Sequence, residues 1–259
     1  CVLHDSLPWW SFVAAAAWVS AWFGSLQHEI IHGHPTRSRA FNAALAMPPL
    51  WLWLPWGRYR DSHLAHHADS RLTDPLDDPE SRYWRPQDWA ALGPVGRAID
   101  DAQSTLAGRL VLGPAWGVSR FLRAEIAALA QGDRDARRAW LVHALWLVPH
   151  CIFVFWLCGV PLWLYGLGFV QGGFSLTLLR SFAEHRAASD ASHRTAIVEN
   201  SPVFGLLFLF NNLHVAHHRW PRVPWYRLPA LYRTRRAALI AANGGLVYDG
   251  YGEIARRAR

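Results

Sequence analysis

Apolar positions along the chain gather into a few long runs separated by polar, histidine-bearing segments. The first run, 7–27, carries no charge over about twenty residues, enough at about 1.5 Å per residue to cross a hydrocarbon core about 30 Å thick, and predicts a transmembrane helix. A second uncharged run is broken at Gly159-Val160-Pro161, which predicts a helical hairpin with spans at 139–158 and 162–180. Arg137 and Arg138 precede this hairpin and Arg180 closes it, so the positive-inside rule puts both ends in the cytoplasm, with Trp140 and Trp163 near the interfaces. Segment 41–57 is apolar but interrupted by Pro48, Pro49 and Pro55, and 203–212 is too short to cross as a helix. Both are expected to lie in the interface or to re-enter. Between residues 69 and 138 the chain turns polar, with an acidic turn and an amphipathic helix expected over 98–131.

The predicted fold is therefore an all-α integral membrane protein, one domain over 1–259, whose transmembrane helices bear a cytoplasmic helical cap. Three spans with the polar segments inside leave Cys1 on the far side, and no Met precedes it, which points to a further helix ahead of Cys1.

Composition narrows the classes further. With 52% hydrophobic and 17% charged residues in 259, a disordered or polar binding module is excluded. All 26 basic residues are Arg, and the net charge is +7. Because apolar runs surround these Arg, the expected partner is an anionic membrane surface and not nucleic acid. The three Cys give no disulfide framework; Cys151 and Cys158 read as small core residues.

Most of the 14 His stand in three clusters: His28 and His32 (HEIIH), His63, His66 and His67 (HLAHH), and His214, His217 and His218 (HVAHH). Spacings of three and four put imidazoles on one helix face. At this composition an HxxHH pattern is expected about 0.04 times per chain by chance, and it occurs twice. Each cluster follows an apolar segment, so all three can converge at one membrane face. Eight imidazoles exceed the roughly four that one zinc takes, which implies more than one ion and suits paired non-haem iron. Two other readings compete. His28-Glu29-xx-His32 matches the HExxH zinc metallopeptidase motif, with Glu29 as general base, but leaves the other two clusters without a task. His143 and His150, i and i+7 on the first hairpin span, suit either a bis-His haem or neutral rings bonded to a neighbouring helix. His34 lies off the His28/His32 face and is left out as a ligand; His4 and His193 read as surface residues.

On these residues the chain resembles the membrane-bound fatty acid desaturase and hydroxylase superfamily, whose boxes HxxxH, HxxHH and HxxHH match the three clusters. The segment after the last box, HHRWPRVPWYRLPALYR, is similar to that of many acyl-lipid desaturases and carotenoid ketolases. The resemblance implies a ninth ligand, His185, and two iron ions that use O2 to attack an unactivated C–H bond of a lipid. It implies an acyl-lipid desaturase first, a lipid, alkane or carotenoid hydroxylase or ketolase as the alternative. Asp61, Asp69, Asp74, Asp77, Glu184 and Asn211 stand close enough in sequence to orient ligand rings, although the 74–80 cluster reads equally as a solvated turn. With no CxxC pair and no four-cysteine iron–sulfur arrangement, electrons come from an external carrier such as a ferredoxin or a cytochrome b5-type protein. The carrier docks on Arg219, Arg222, Arg227, Arg233, Arg235 and Arg236, or those Arg hold lipid headgroups. The expected location is multi-pass in a bacterial inner membrane, with the active site on the cytoplasmic side.

Overall fold

In the computed structural model, which describes residues 1–67 and 69–258, the alanine-rich first run forms helix α1, Trp9–Ile31. Pro8 precedes it, where a missing N–H costs nothing, and Gly33 ends it. With φ at +99°, Gly33 donates to the Ile30 carbonyl and lets His34 N–H reach back to Glu29, closing the helix in a Schellman motif. The chain continues through α2 (Arg39–Ala46), α3 (Trp56–His66), the short α4 (Pro86–Ala91), α5 (Pro94–Gln103) and α6 (Leu106–Ala130). Then come α7 (Arg134–Cys151), α8 (Leu162–Tyr165), α9 (Gly173–Glu184), α10 (Pro202–Leu207), α11 (His214–Arg219), α12 (Leu228–Ala242) and α13 (Tyr251–Arg257). The fold is mostly helical. Among the described residues the sheet is one parallel pair, β1 (Ile197–Val198) with β2 (Val247–Tyr248), in register Ile197 to Val247.

Two continuous helical stretches, Arg134–Leu157 and Leu162–Glu184, are long and apolar enough to cross a membrane. Each includes a π-helical portion, at Ile152–Leu157 and Gly166–Gly172. Leu141, Leu145, Trp156, Leu157 and Leu162 stand exposed on them, large apolar side chains that suit hydrocarbon better than water. α1 packs along the second stretch through small residues. A Cβ added to Gly168 would meet the Ala16 Cβ at 2.7 Å, and one on Gly172 would meet the Ala17 Cβ at 2.7 Å, so these glycines permit the close approach.

Several polar groups within the apolar region find partners in neighbouring segments. Pro114 inside α6 cannot bond the Leu110 carbonyl, which instead accepts from the Ser175 hydroxyl at 2.6 Å. The irregular stretch between α2 and α3 is held in the same way: Leu52 O bonds His143 Nε2 at 2.7 Å, and Leu50 O accepts from Tyr165 Oη at 2.7 Å. Tyr165 Oη in turn meets His150 Nε2 at 2.8 Å. Of the two readings open for His143 and His150, the geometry selects rings bonded to neighbouring segments, which leaves a bis-His haem without ligands.

Several expectations change. The helix expected over 98–131 is two, because Thr105 caps a new one by accepting from Gly108 N at 3.0 Å. In the 203–212 segment Leu207 and Phe208 are buried in a protein core with Val198 and Tyr251 and Leu209 is buried beside them in sequence, while Val203 and Leu206 remain exposed. His4 is buried against Phe12, its Nδ1 bonded to Cys1 O. Cys151 and Cys158 are half-buried free thiols. Arg180, read as a flanking surface charge, is buried.

Candidate metal centre

Four elements deliver the nine histidines to one end of the α1/α9 pair. His28 sits on the last turn of α1 with His32 its C-cap, and His63 and His66 on the last turn of α3 with His67 its C-cap. His185 follows α9, where the backbone becomes extended and forms an antiparallel bridge with Thr195. His214, His217 and His218 come from α11, whose apolar side, Leu213 and Ala216, is buried against Leu228, Tyr232 and Leu239.

The rings divide into two groups. His28, His32, His63, His67 and His217 form one and His66, His185, His214 and His218 the other; within each, the ligand nitrogens all lie within 4.8 Å of one another. On α3 the i, i+4 pair His63/His67 serves the first group, and His66, one turn round, serves the second. On α11 His217 goes to the first, while the i, i+4 pair His214/His218 goes to the second.

Hydrogen bonds on the outer side of the rings fix where the lone pairs point. His63 Nδ1–H donates to Glu80 Oε1 at 3.1 Å and His66 Nδ1–H to Asp78 Oδ1 at 2.9 Å. His185 Nδ1–H donates to Arg194 O at 3.3 Å and His214 Nδ1–H to Asn211 Oδ1 at 3.2 Å. With the ring N–H on Nδ1 facing an oxygen acceptor, each neutral ring has its Nε2 lone pair inward. Yet His185 Nε2 stands 3.0 Å from His66 Nε2 and 2.9 Å from His214 Nε2. His63 Nε2 meets His67 Nε2 at 3.0 Å and His32 Nε2 at 3.2 Å, and the buried His28 Nε2 has no partner. Lone pairs facing each other at this range repel unless a cation lies between them. Two nitrogens bound cis to one ion at about 2.1 Å stand about 3.0 Å apart, so the donor set fits metal in both groups.

The outer partners are themselves anchored. Asp78, buried, also accepts from Thr73 N at 2.8 Å and from Glu80 N at 2.9 Å. Glu184 accepts from Asn211 Nδ2 at 2.8 Å and pairs with Arg180 Nε at 3.0 Å, giving a buried chain Arg180–Glu184–Asn211–His214. Of the six orienting residues expected from sequence, Glu184 and Asn211 stand in this chain. Asp61 does not reach the rings: it is half-exposed and bonds Arg60 Nε at 2.8 Å, on the other face of α3 from His63. Asp74 accepts from Leu76 N and Asp77 N in an exposed turn, and the side chain of Asp69 lies outside the described residues. Asp78 and Glu80 are the residues that sequence reasoning did not single out.

Glu29 takes no part in either group. Its Oε2 accepts from Trp225 N at 3.1 Å, tying the end of α1 to the loop after α11, and burial pushes its carboxyl up to about 7. That contact gives Glu29 a structural task and argues against the peptidase reading. His34 is in neither group, and Arg236 is engaged by Glu199 at 2.6 Å.

Burial, together with like neighbours, holds His28, His185, His214, His217 and His218 well below the usual imidazole range, and takes His32 down to about 2. Burial also lowers His63. His66, although buried, is raised by Glu80 and Asp78. A base whose folded pKa is depressed contributes stability above its unfolded pKa, near 6.5, and loses it as the pH falls below that. Seven lowered histidines outweigh the opposite signs of His66 and Glu29. The chelator-treated protein is therefore expected to lose thermal stability steeply below about pH 6.5, by roughly 1.4 kcal/mol per pH unit for each net proton taken up, while metal loading protects it. Melting curves collected from about pH 5 to pH 8 with and without metal read this directly; a flat profile for the apo form would contradict it.

A helical protein with nine imidazoles gathered into two groups, each able to hold a metal ion, is the class these observations define. The chain belongs to the fatty acid desaturase family, whose sequence model matches residues 5–251, and it is an O2-dependent oxidoreductase. It is also similar to two beta-carotene ketolases. One, from Paracoccus sp. (strain N81106 / MBIC 01143), is 28% identical over 82% of this chain and 74% of its own length. The other, from Paracoccus sp. (strain PC1), is 28% identical over 86% of this chain and 78% of its own.

Proposed function

We propose that the protein is a membrane-bound di-iron enzyme that uses O2 and external electrons to oxidise a long apolar substrate, with ketolation of a carotenoid as the reaction. The observation that carries this is the pair of converging imidazole groups; similarity to two beta-carotene ketolases supports the substrate class. His28, His32, His63, His67 and His217 would hold one iron and His66, His185, His214 and His218 the other. The five nitrogen donors of the first group exceed the four that zinc takes, and an all-imidazole set of this kind suits non-haem iron. Bound iron would supply reductive activation of O2 for attack on an unactivated C–H bond.

The chain's own residues prepare that chemistry. Asp78, Glu80, Asn211 and the Arg194 carbonyl hold the ring N–H groups outward, so the inner nitrogens stay deprotonated and the rings cannot rotate. Burial of His28, His63, His214 and His217 keeps bulk water from the inner nitrogens. In this proposal spans 7–27, 139–158 and 162–180 cross a bacterial inner membrane as one domain, 41–57 lies at the interface, 203–212 meets it through the exposed Val203 and Leu206, and the histidines face the cytoplasm in a helical cap. The exposed Arg137 and Arg138 ahead of the hairpin support that orientation. An acidic one-electron carrier, such as a ferredoxin or a cytochrome b5-type protein, would dock on Arg219, Arg222, Arg227, Arg233 and Arg235.

Acyl desaturation is the second reading, favoured by the family match itself. Mass analysis of carotenoids and fatty acids from cells expressing the protein separates the two. Gain of one oxygen with loss of two hydrogens on a carotenoid is the expected result. Loss of two hydrogens alone from acyl chains would favour desaturation, and unchanged profiles of both pools around an iron-loaded protein would overturn the proposal.

A further inference from the structure

We infer that a second ligand site, separate from the histidines, lies between α5, α6 and the segment around Trp84: a recess of about 400 Å3 that binds the phosphate of an anionic phospholipid headgroup through Arg82 and Arg109. Tyr83, Trp84, Trp89, Gln103 and Ser104 complete its wall.

Missing counter-charge is the first argument. Among the described residues Arg82, Arg109 and Arg120 have no carboxylate within ion-pair distance. They rest on aromatic rings instead: Arg120 over Trp84 at 4.4 Å, Arg82 over Tyr83 at 5.2 Å and Arg109 over Phe182 at 6.0 Å. The neighbouring carboxylate, Asp100, accepts from Trp84 Nε1 at 2.9 Å. Two guanidinium groups, Arg82 and Arg109, less the carboxylate of Asp100 leave the lining of the recess at about +1, with Arg120 behind Trp84 adding to the positive field. Arg109 Nε is shut off from solvent and donates to nothing, an orphaned donor that lacks an acceptor. Burial and the adjacent Arg82 push the Arg109 guanidinium down to about 10, as an uncompensated cation would be.

The surroundings argue for a lipid as the source of the phosphate. Trp89 and Val95 are exposed at the rim, and Val111 and Leu112 are exposed on α6 just beyond Arg109. A cationic recess with an apolar border is complementary to an amphiphile that carries its negative charge at the head.

Thermal shifts of the purified full chain in detergent, with added phosphatidylglycerol, phosphatidylcholine or inorganic phosphate, test the site. Phosphatidylglycerol should raise the melting temperature by several degrees and phosphatidylcholine should not. Arg109→Gln and Arg82→Gln should each weaken the phosphatidylglycerol response by about tenfold or more in apparent affinity, and Arg37→Gln, at an exposed Arg outside the recess, should not. Arg82 is exposed, so its variant keeps the test valid even where Arg109→Gln fails to fold. Equal stabilisation by inorganic phosphate at the same concentration would overturn the lipid source, and unchanged lipid affinity in Arg82→Gln would overturn the site.

Discussion

Replacing His185 with alanine is expected to halve the iron content and abolish turnover, although His185 belongs to none of the three clusters. It stands 2.9–3.0 Å from two other ring nitrogens of the four-histidine group, so its loss leaves three donors there. Removing a residue that only orients a ligand costs about 10–100-fold in metal affinity, and losing the ligand should cost more. His217→Ala makes the same test on the five-histidine group. His143→Ala is the control, because His143 holds a backbone carbonyl and no metal. It should weaken the fold by about 1–3 kcal/mol, the penalty for a buried acceptor left unpaired, and leave the iron content per folded chain unchanged. Wild-type iron and product yield in His185→Ala would refute the four-histidine group.

The largest effect on stability is expected at Glu184. Its buried carboxylate neutralises buried Arg180 and holds Asn211, which in turn aligns His214. Glu184→Ala strands a guanidinium away from water, a change of about 3–5 kcal/mol against a total stability of about 5–15. Glu184→Gln keeps an acceptor for Asn211 and should fall between the wild type and Glu184→Ala. Replacing Arg180 and Glu184 together with Leu removes both charges and is expected to restore much of the stability. It should not restore metal affinity, because Asn211 still lacks its anchor. Chemical unfolding in detergent reads the first quantity and iron titration the second; full recovery of both in the double variant would mean that the chain to His214 has no role.

How far the centre is legible in the sequence depends on the range of each interaction. The clusters are visible because i, i+3 and i+4 spacing is a local property of a helix, and the structure brings all eight of their imidazoles and His185 together. The division into two groups is not visible: whether His66 joins His63 or His185 is decided by how α3 packs against the segment after α9. Sequence proximity misleads at Asp61, two residues from His63 but on the opposite face of α3. It also hides Asp78 and Glu80, since DDPES reads as an ordinary solvated turn until the chain folds back onto α3. Arg180 looks like a topological flank because a single Arg after an apolar run is read as facing water. Its partners, Glu184 in the same helix and Tyr59 on α3, make burial possible. The break between α5 and α6 had a local signal in Thr105, a good N-cap residue followed by a fresh apolar face.

The most direct test of the two-metal account is the metal content and absorption spectrum of the purified protein. Two irons per chain, no haem absorption, and a fall to about one iron in both His185→Ala and His217→Ala are the expected result. A single zinc per chain with no iron, retained in both variants, would contradict it.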